Sequence, residues 1–160
     1  MLIGVLSDTH GDVHGTRQAV RSFESLGVEM LLHCGDIGTA EVVSLLSAWP
    51  VHFVFGNVDQ QAFLRGVITE AGHVCHDRFG SLTVKSKAVA LLHGDDMSRL
   101  QHTIQSRQWD LVCHGHTHSP SQQHTSGTLV LNPGAIARTH RSCVATVELP
   151  SMAVTHIPLL

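Results

Sequence analysis

Leu2-Ile3-Gly4-Val5-Leu6-Ser7-Asp8-Thr9-His10-Gly11 is the stretch that decides the fold. A short apolar run that stops abruptly in polar residues reads as a strand buried on both faces, the kind found in parallel sheets covered by helices. The same form returns four times. Met30–Leu32 leads into His33-Cys34-Gly35-Asp36, and Val51–Phe55 into Gly56-Asn57. Val89–Leu92 leads into His93-Gly94-Asp95, and Leu111–Cys113 into His114-Gly115-His116-Thr117-His118. Helical patterns separate the first three runs. Val13, Ala19, Val20, Phe23 and Leu26 fall near helical spacing in 13–26, with Gly27 as the stop; a second pattern, Ala40–Ala48, closes at Trp49-Pro50. This alternation implies right-handed crossovers and strands whose carboxyl ends share one edge.

Beyond residue 66 the texture changes. Val67–Glu70, His73–Asp77, Leu82–Val84 and Ala88–Leu92 read as strands joined by tight turns, as do Gln122–Thr125, Thr128–Leu131, Cys143–Leu149 and Ala153–Ile157. One helix, about Met97–Arg107, interrupts them. The expected fold class is α/β: two packed mixed sheets with helices on the outer faces, in a single domain spanning 1–160.

Composition narrows the function. Charged residues are 14% of the chain, below the roughly 25% usual for soluble domains, and the net charge is −3 with no basic block. Nucleic-acid binding by counterion release needs clustered cations, so it has little support. Histidine is the outlier, with 14 copies against 10 Lys plus Arg. Imidazole is the commonest metal ligand. The cysteines, Cys34, Cys75, Cys113 and Cys143, form no CxxC pair and read as free thiols of a reducing compartment. The opening strand leaves no room for a signal peptide, and no apolar run approaches the ~20 residues of a membrane span. A cytoplasmic protein is expected.

In open α/β sheets, sites form outside the carboxyl ends of the strands. Asp8, His10, Asp36, Asn57, His93, His116 and His118 all lie directly after expected strands. These seven N/O groups are too many for one ion. Two ions ~3.5–4 Å apart that share a carboxylate would use them all. A mixture of carboxylate, imidazole and carboxamide without thiolate suits Mn, Fe, Zn or Ni.

The order Asp8-x-His10, Gly35-Asp36, Gly56-Asn57, His93-Gly94, Gly115-His116-Thr117-His118 resembles the calcineurin-like metallophosphoesterase superfamily. The short length, the Ser7–Gly11 opening and Asn132-Pro133-Gly134 resemble its small YfcE-like phosphodiesterase branch, to which the retromer subunit Vps29 is related. The resemblance implies a four-layer α/β/β/α sandwich. It also implies a ligand set: Asp8, His10, Asp36 and His118 on one metal, and Asp36, Asn57, His93 and His116 on the other, with Asp36 bridging. Two divalent ions (Mn foremost, with Fe, Ni, Zn or Mg as alternatives) would hold a hydroxide for in-line attack on phosphorus in a small phosphoester, a diester before a monoester.

One position departs from the pattern. Many members of the superfamily carry His directly after the Asn of the third motif, but here Val58 stands there, followed by Asp59. No separate general acid is identified. A missing proton donor costs about 10²–10⁴-fold where the leaving group needs protonation, so activated leaving groups are favoured.

Other residues carry weaker expectations. His33 and His114 precede ligand turns and read as packing residues or donors behind the ligands. Asp12 and His14 stand where the first helix enters, within reach of a substrate. Asn132-Pro133-Gly134 reads as a structural turn near the site. Arg138 and Arg141 read as surface charge before oxyanion binders, and His140 and His156 as incidental. Exposed strand edges in the second half leave room for a homodimer. Against the enzyme stands a binding module of the Vps29 kind, which has no need of all seven groups. Metallo-β-lactamase-like, nucleophile-elbow and P-loop enzymes are excluded by the absence of HxHxDH, GxSxG and GxxxxGK[ST].

Overall fold

The computed structural model describes residues 1–160. The first half alternates strand and helix: β1 (Leu2–Leu6), α1 (Val13–Leu26), β2 (Met30–His33), α2 (Ala40–Leu45), β3 (Val51–Phe53), α3 (Gln61–Glu70) and β4 (Val74–Cys75). Then follow β5 (Gly80–Val84), β6 (Lys87–Leu91), α4 (Met97–Gln105) and β7 (Leu111–Cys113). The chain closes with β8 (Ser121–Thr125), β9 (Thr128–Asn132), β10 (Cys143–Glu148) and β11 (Ala153–Pro158).

One sheet has the order β11-β10-β1-β2-β3-β4 and the other β5-β6-β7-β9-β8. β1 to β4 are mutually parallel, with β10 and β11 added antiparallel. In the second sheet β6, β7 and β9 are parallel, and β5 and β8 flank them antiparallel. Alternation along β1 sorts its side chains into two cores. Ile3 and Val5 enter the layer between the sheets with Leu32, Val89, Leu111 and Leu131. Leu6 joins Phe23, Leu31 and Phe53 beneath the first-half helices. Gly4 shares that face, and a Cβ there would lie 2.9 Å from Phe23 Cε1, so its bare backbone lets α1 settle close. A smaller core of Ala90, Leu92, Leu100 and Val112 seats α4 on the second sheet. The layers are therefore α/β/β/α, as the resemblance implies.

One expected strand is corrected. Val67–Glu70 is the end of α3, which buries Leu64 and Ile68 against the helix-side core. Val67-Ile68-Thr69 is a β-branched run and suggests a strand, but Leu64, Val67 and Ile68 recur at i, i+3, i+4 and satisfy a helix. Of His73–Asp77 only Val74–Cys75 pairs, parallel to β3. The second and fourth helices end at Leu45 and Gln105, short of the expected Ala48 and Arg107. No helix is long and apolar enough to cross a membrane.

The two sheets bring their parallel carboxyl ends to one place. His93 Nδ1, after β6, donates to Cys34 O, after β2, at 2.8 Å. The His116 amide, after β7, donates to Asp8 Oδ2, after β1, at 3.1 Å.

Candidate metal centre

Five of the seven expected ligands sit in the left-handed backbone region: Asp8 (φ 54°), His10 (44°), Asp36 (54°), His116 (69°) and His118 (57°). Such conformations cost of order 1–3 kcal/mol each and persist where surrounding structure over-determines them. Here the loops after β1 and β2 are laced together. The amides of Asp8, His10 and Gly11 donate to Gly35 O (3.0 Å), Asp36 O (2.9 Å) and Ile37 O (3.0 Å). Gly35 (φ 96°) is required at this crossing, because a Cβ would stand 2.7 Å from Gly56 N and 2.9 Å from His93 Nδ1.

Two carboxylates and three imidazoles converge inside these loops. Asp36 Oδ2 lies 3.3 Å from His93 Nε2 and 3.6 Å from His10 Nε2. Asp8 Oδ1 lies 3.2 Å from His118 Nε2 and 3.9 Å from His10 Nε2. The ligand atoms form two compact groups, Asp8–His10–His118 and Asp8–Asp36–His93. Ring contacts pair the histidines in the same way the resemblance does. His10 and His118 have centroids 5.6 Å apart, and His93 and His116 meet edge-on at 5.1 Å.

Hydrogen bonding on the far side of two rings fixes what faces inward. His93 donates from Nδ1 to Cys34 O, and His118 from Nδ1 to Arg138 O at 3.2 Å. When neutral, each ring turns its Nε2 lone pair toward a carboxylate oxygen, one acceptor facing another. Asp8 Oδ1, His10 Nε2 and His93 Nε2 are buried without any hydrogen-bond partner. Buried acceptors left this way cost about 1–3 kcal/mol each, and a cation between them removes the conflict. The residues present therefore fit a metal centre. Burial lowers the pKa of His10, Asp36 raising against it and Arg138 adding to the fall. For His93 burial opposes charge, but the Asp36 carboxylate outweighs it and raises the pKa. Burial likewise opposes ionisation of Asp36, and His93 more than reverses this, so its carboxyl stays below the usual range.

A supporting layer holds the loops. Asp59 accepts three backbone N–H groups, from Ile37 (2.8 Å), Gly38 (3.1 Å) and Gly56 (2.8 Å), and so clamps the turn carrying Asp36 to the turn carrying Asn57. This carboxylate is a structural brace with no imidazole to orient. His33 is fully buried: its Nδ1 accepts from Gly35 N (3.2 Å), its Nε2 bonds Thr9 Oγ1 (3.0 Å), and Thr9 donates on to Ile37 O (2.9 Å). Burial pushes its pKa down to about 3, which keeps it neutral. Asn132 donates to Gly115 O and Thr117 Oγ1, both at 3.0 Å, and accepts from Gly134 N, so the expected structural turn also anchors the His116–His118 loop.

The rest of the expected set is more open. Asn57 and Val58 are exposed beside this clamp, and the Val58 amide donates to Asp36 Oδ1 at 3.2 Å. His114 bonds the neighbouring Gly115 O, and burial lowers its pKa. His14 is exposed in the first turn of α1, while Asp12 caps that helix by accepting from Gly15 N. The four cysteines are free, and burial pushes the thiols of Cys34 and Cys113 well up, so neither offers a thiolate. Sequence reasoning missed one ion pair at the rim. Arg78 bonds Asp95, two residues past His93, at 2.5 Å and also donates to Phe55 O. The partners are 17 residues apart, and no local pattern links them.

A model of the calcineurin-like phosphoesterase superfamily domain matches residues 1–152. The chain belongs to this superfamily. Within the superfamily it is 30% identical over 141 residues to Phosphodiesterase MJ0936 of Methanocaldococcus jannaschii, covering 84% of this chain and 83% of that one. A solved structure described as a novel archaeal phosphodiesterase superposes with a TM-score of 0.92 at 26% identity, over 99% of this chain and 100% of that one. Zinc-bound Vps29 of Entamoeba histolytica shares the fold at a TM-score of 0.71 and 18% identity, over 99% and 98% of the two chains. The superfamily expected from the five motifs, and the likeness to Vps29 in architecture, are both borne out.

Proposed function

We propose that this chain is a metal-dependent phosphoesterase that hydrolyses phosphodiesters at a dinuclear centre. The observation that carries this reading is the set of partnerless buried acceptors, Asp8 Oδ1, His10 Nε2 and His93 Nε2, gathered around two carboxylates. Asp8, His10 and His118 would hold one divalent ion, and His93, His116 and Asn57 the other. Asp36 would serve both, because its Oδ2 lies between His10 and His93. When bound, the ions supply Lewis acidity, acidifying water and neutralising the phosphoryl oxygens. Manganese heads the candidates, since hard carboxylate and imidazole ligands without thiolate suit it.

The chain's own residues do the rest. The Cys34 and Arg138 carbonyls hold His93 and His118 in the tautomer whose Nε2 can ligate. The Asp59 clamp fixes the relative position of the Asp36 and Asn57 turns, so little reorganisation remains when substrate arrives. Val58 presents no proton donor at a position that is 53% exposed. Turnover should therefore favour leaving groups that depart without protonation, and diesters with activated arms suit this site. The relatives named as phosphodiesterases support the same lean.

Hydrolysis of bis-p-nitrophenyl phosphate by metal-stripped protein titrated with Mn²⁺ tests the reading. Metal-dependent turnover is expected. No turnover with Mn²⁺, Ni²⁺, Fe²⁺ or Zn²⁺ would contradict it and favour a Vps29-like binding role. Val58→His should raise the rate on an alkyl diester by about 10²-fold, and an unchanged rate there would sink the leaving-group argument.

A further inference from the structure

The largest cavity on the molecule, about 450 Å³, lies against the metal centre and shares His118 as a wall. Its volume is that of a small-molecule site, which runs from roughly 300 to 1,000 Å³. The His118 ring faces Asp8 with Nε2 and bonds Arg138 O with Nδ1, so an occupant of the cavity sits one imidazole away from the carboxylates.

The lining has a chemistry of its own. Beside His118 and the Cys143 thiol, Arg141, His140 and His156 contribute titratable groups, Pro120 and Pro158 supply carbon surface, and no carboxylate takes part. In a chain of net charge −3 this is a local reversal of sign. Of the ten Lys and Arg side chains, three pair with acids elsewhere on the molecule: Arg65 with Asp77, Arg78 with Asp95 and Lys87 with Asp110. Arg141 is exposed and pairs with no acid, and the whole segment Ala135–Ser142 contains none. An unpaired guanidinium at a cavity mouth is suited to bidentate capture of phosphate or carboxylate. The cavity is also tied to the centre. His156 Nε2 donates to Asn132 O at 2.9 Å, and the Asn132 side chain holds the loop that carries His116 and His118.

We propose that this cavity is the subsite for one arm of the substrate, and that the preferred arm carries a second phosphate, held by Arg141, on a carbon frame resting against Pro120 and Pro158. The assignment rests on the phosphodiesterase reading and adds substrate class to it: a nucleotide-sized diester with an additional anionic group.

Two substrates that differ by one phosphate test it. They are thymidine 5′-(p-nitrophenyl phosphate) and its 3′-phosphorylated form, each assayed with Mn²⁺-loaded protein. The 3′-phosphate should lower KM by about tenfold with little change in kcat. The advantage should vanish in Arg141→Gln and survive in part in Arg141→Lys. Equal KM values in the unaltered protein, or an advantage untouched by Arg141→Gln, would overturn the proposal. Calorimetry on metal-free protein separates the two readings. Thymidine 3′,5′-bisphosphate should bind more tightly than thymidine 5′-monophosphate, by a margin that Arg141→Gln removes. If that margin holds while neither ester is hydrolysed, the cavity assignment stands and the phosphodiesterase reading falls. Equal binding of the two nucleotides overturns the cavity assignment whatever the catalytic result.

Discussion

The two sheets meet the candidate metal centre in different ways. The edge formed by β1, β2 and β3 supplies both carboxylates and His10, on loops tied together through Thr9, His33 and Asp59. The edge formed by β6 and β7 supplies imidazoles, held more lightly through Cys34 O, Arg138 O and Asn132. Two histidines make the contrast concrete. His33 and His93 are both buried at strand ends, but His33 has partners on both ring nitrogens whereas His93 has one on Nδ1 alone. Burial by itself does not mark a ligand. What marks it is a nitrogen that the protein leaves unpartnered and aims at a carboxylate. On this view the first edge fixes where cations sit, and the second edge completes their coordination.

The largest effect that tests this division is on the first edge. Asp36→Ala removes the carboxylate placed between His10 and His93. Loss of several kcal/mol of charge stabilisation corresponds to a fall in kcat of about 10³-fold or more, with metal content measured in parallel. Full rate and full metal content in this variant would break the comparison. Next comes Asp59→Ala, which frees three backbone N–H groups. Loss of such a brace weakens metal affinity by about 10–100-fold, readable by competition with a fluorescent chelator, although no ligand is touched.

A third effect is on pH. His33 has a pKa of about 3 in the folded chain against 6.5 unfolded. Between those values the unfolded state binds the proton and the folded state does not, so stability is complete above 6.5 and falls as pH drops toward 3. At 1.36 kcal/mol per pKa unit, the contribution lost by about pH 5 is about 2 kcal/mol. Urea denaturation of metal-free protein from pH 7.5 to 4 should show that decline, and His33→Gln should flatten it. The smallest effect belongs to the second edge. Asn132→Ala loosens the His116–His118 loop and should cost no more than about tenfold in metal affinity, measured as for Asp59. A larger loss than that from Asp59→Ala would reverse the ranking of the two edges.

Much of this was legible in the sequence because it is local. Each candidate ligand follows its strand within a few residues, so strand end and ligand are read together, and the order of five motifs gives the superfamily. Two-sheet layering followed from the switch in texture after residue 66. The failures are of two kinds. α3 was hidden because Val67-Ile68-Thr69 favours a strand locally, whereas the burial of Leu64 and Ile68 selects the helix. The clamp of Asp59 on Ile37 and Gly38, and the bond from His156 to Asn132, join residues more than 20 positions apart. Such contacts arise only once the sheets have assembled, and no spacing rule announces them. Arg141 belongs to the same class: a surface cation by sequence, but a cavity residue once β11 closes beside it.

Anomalous diffraction from crystals of Mn²⁺-loaded protein tests the central claim most directly. Two peaks ~3.5–4 Å apart are predicted, one among Asp8, His10 and His118, one beside His93, and Asp36 reaching both. A single peak, or peaks away from these residues, would contradict a dinuclear centre built from the carboxyl edges of both sheets.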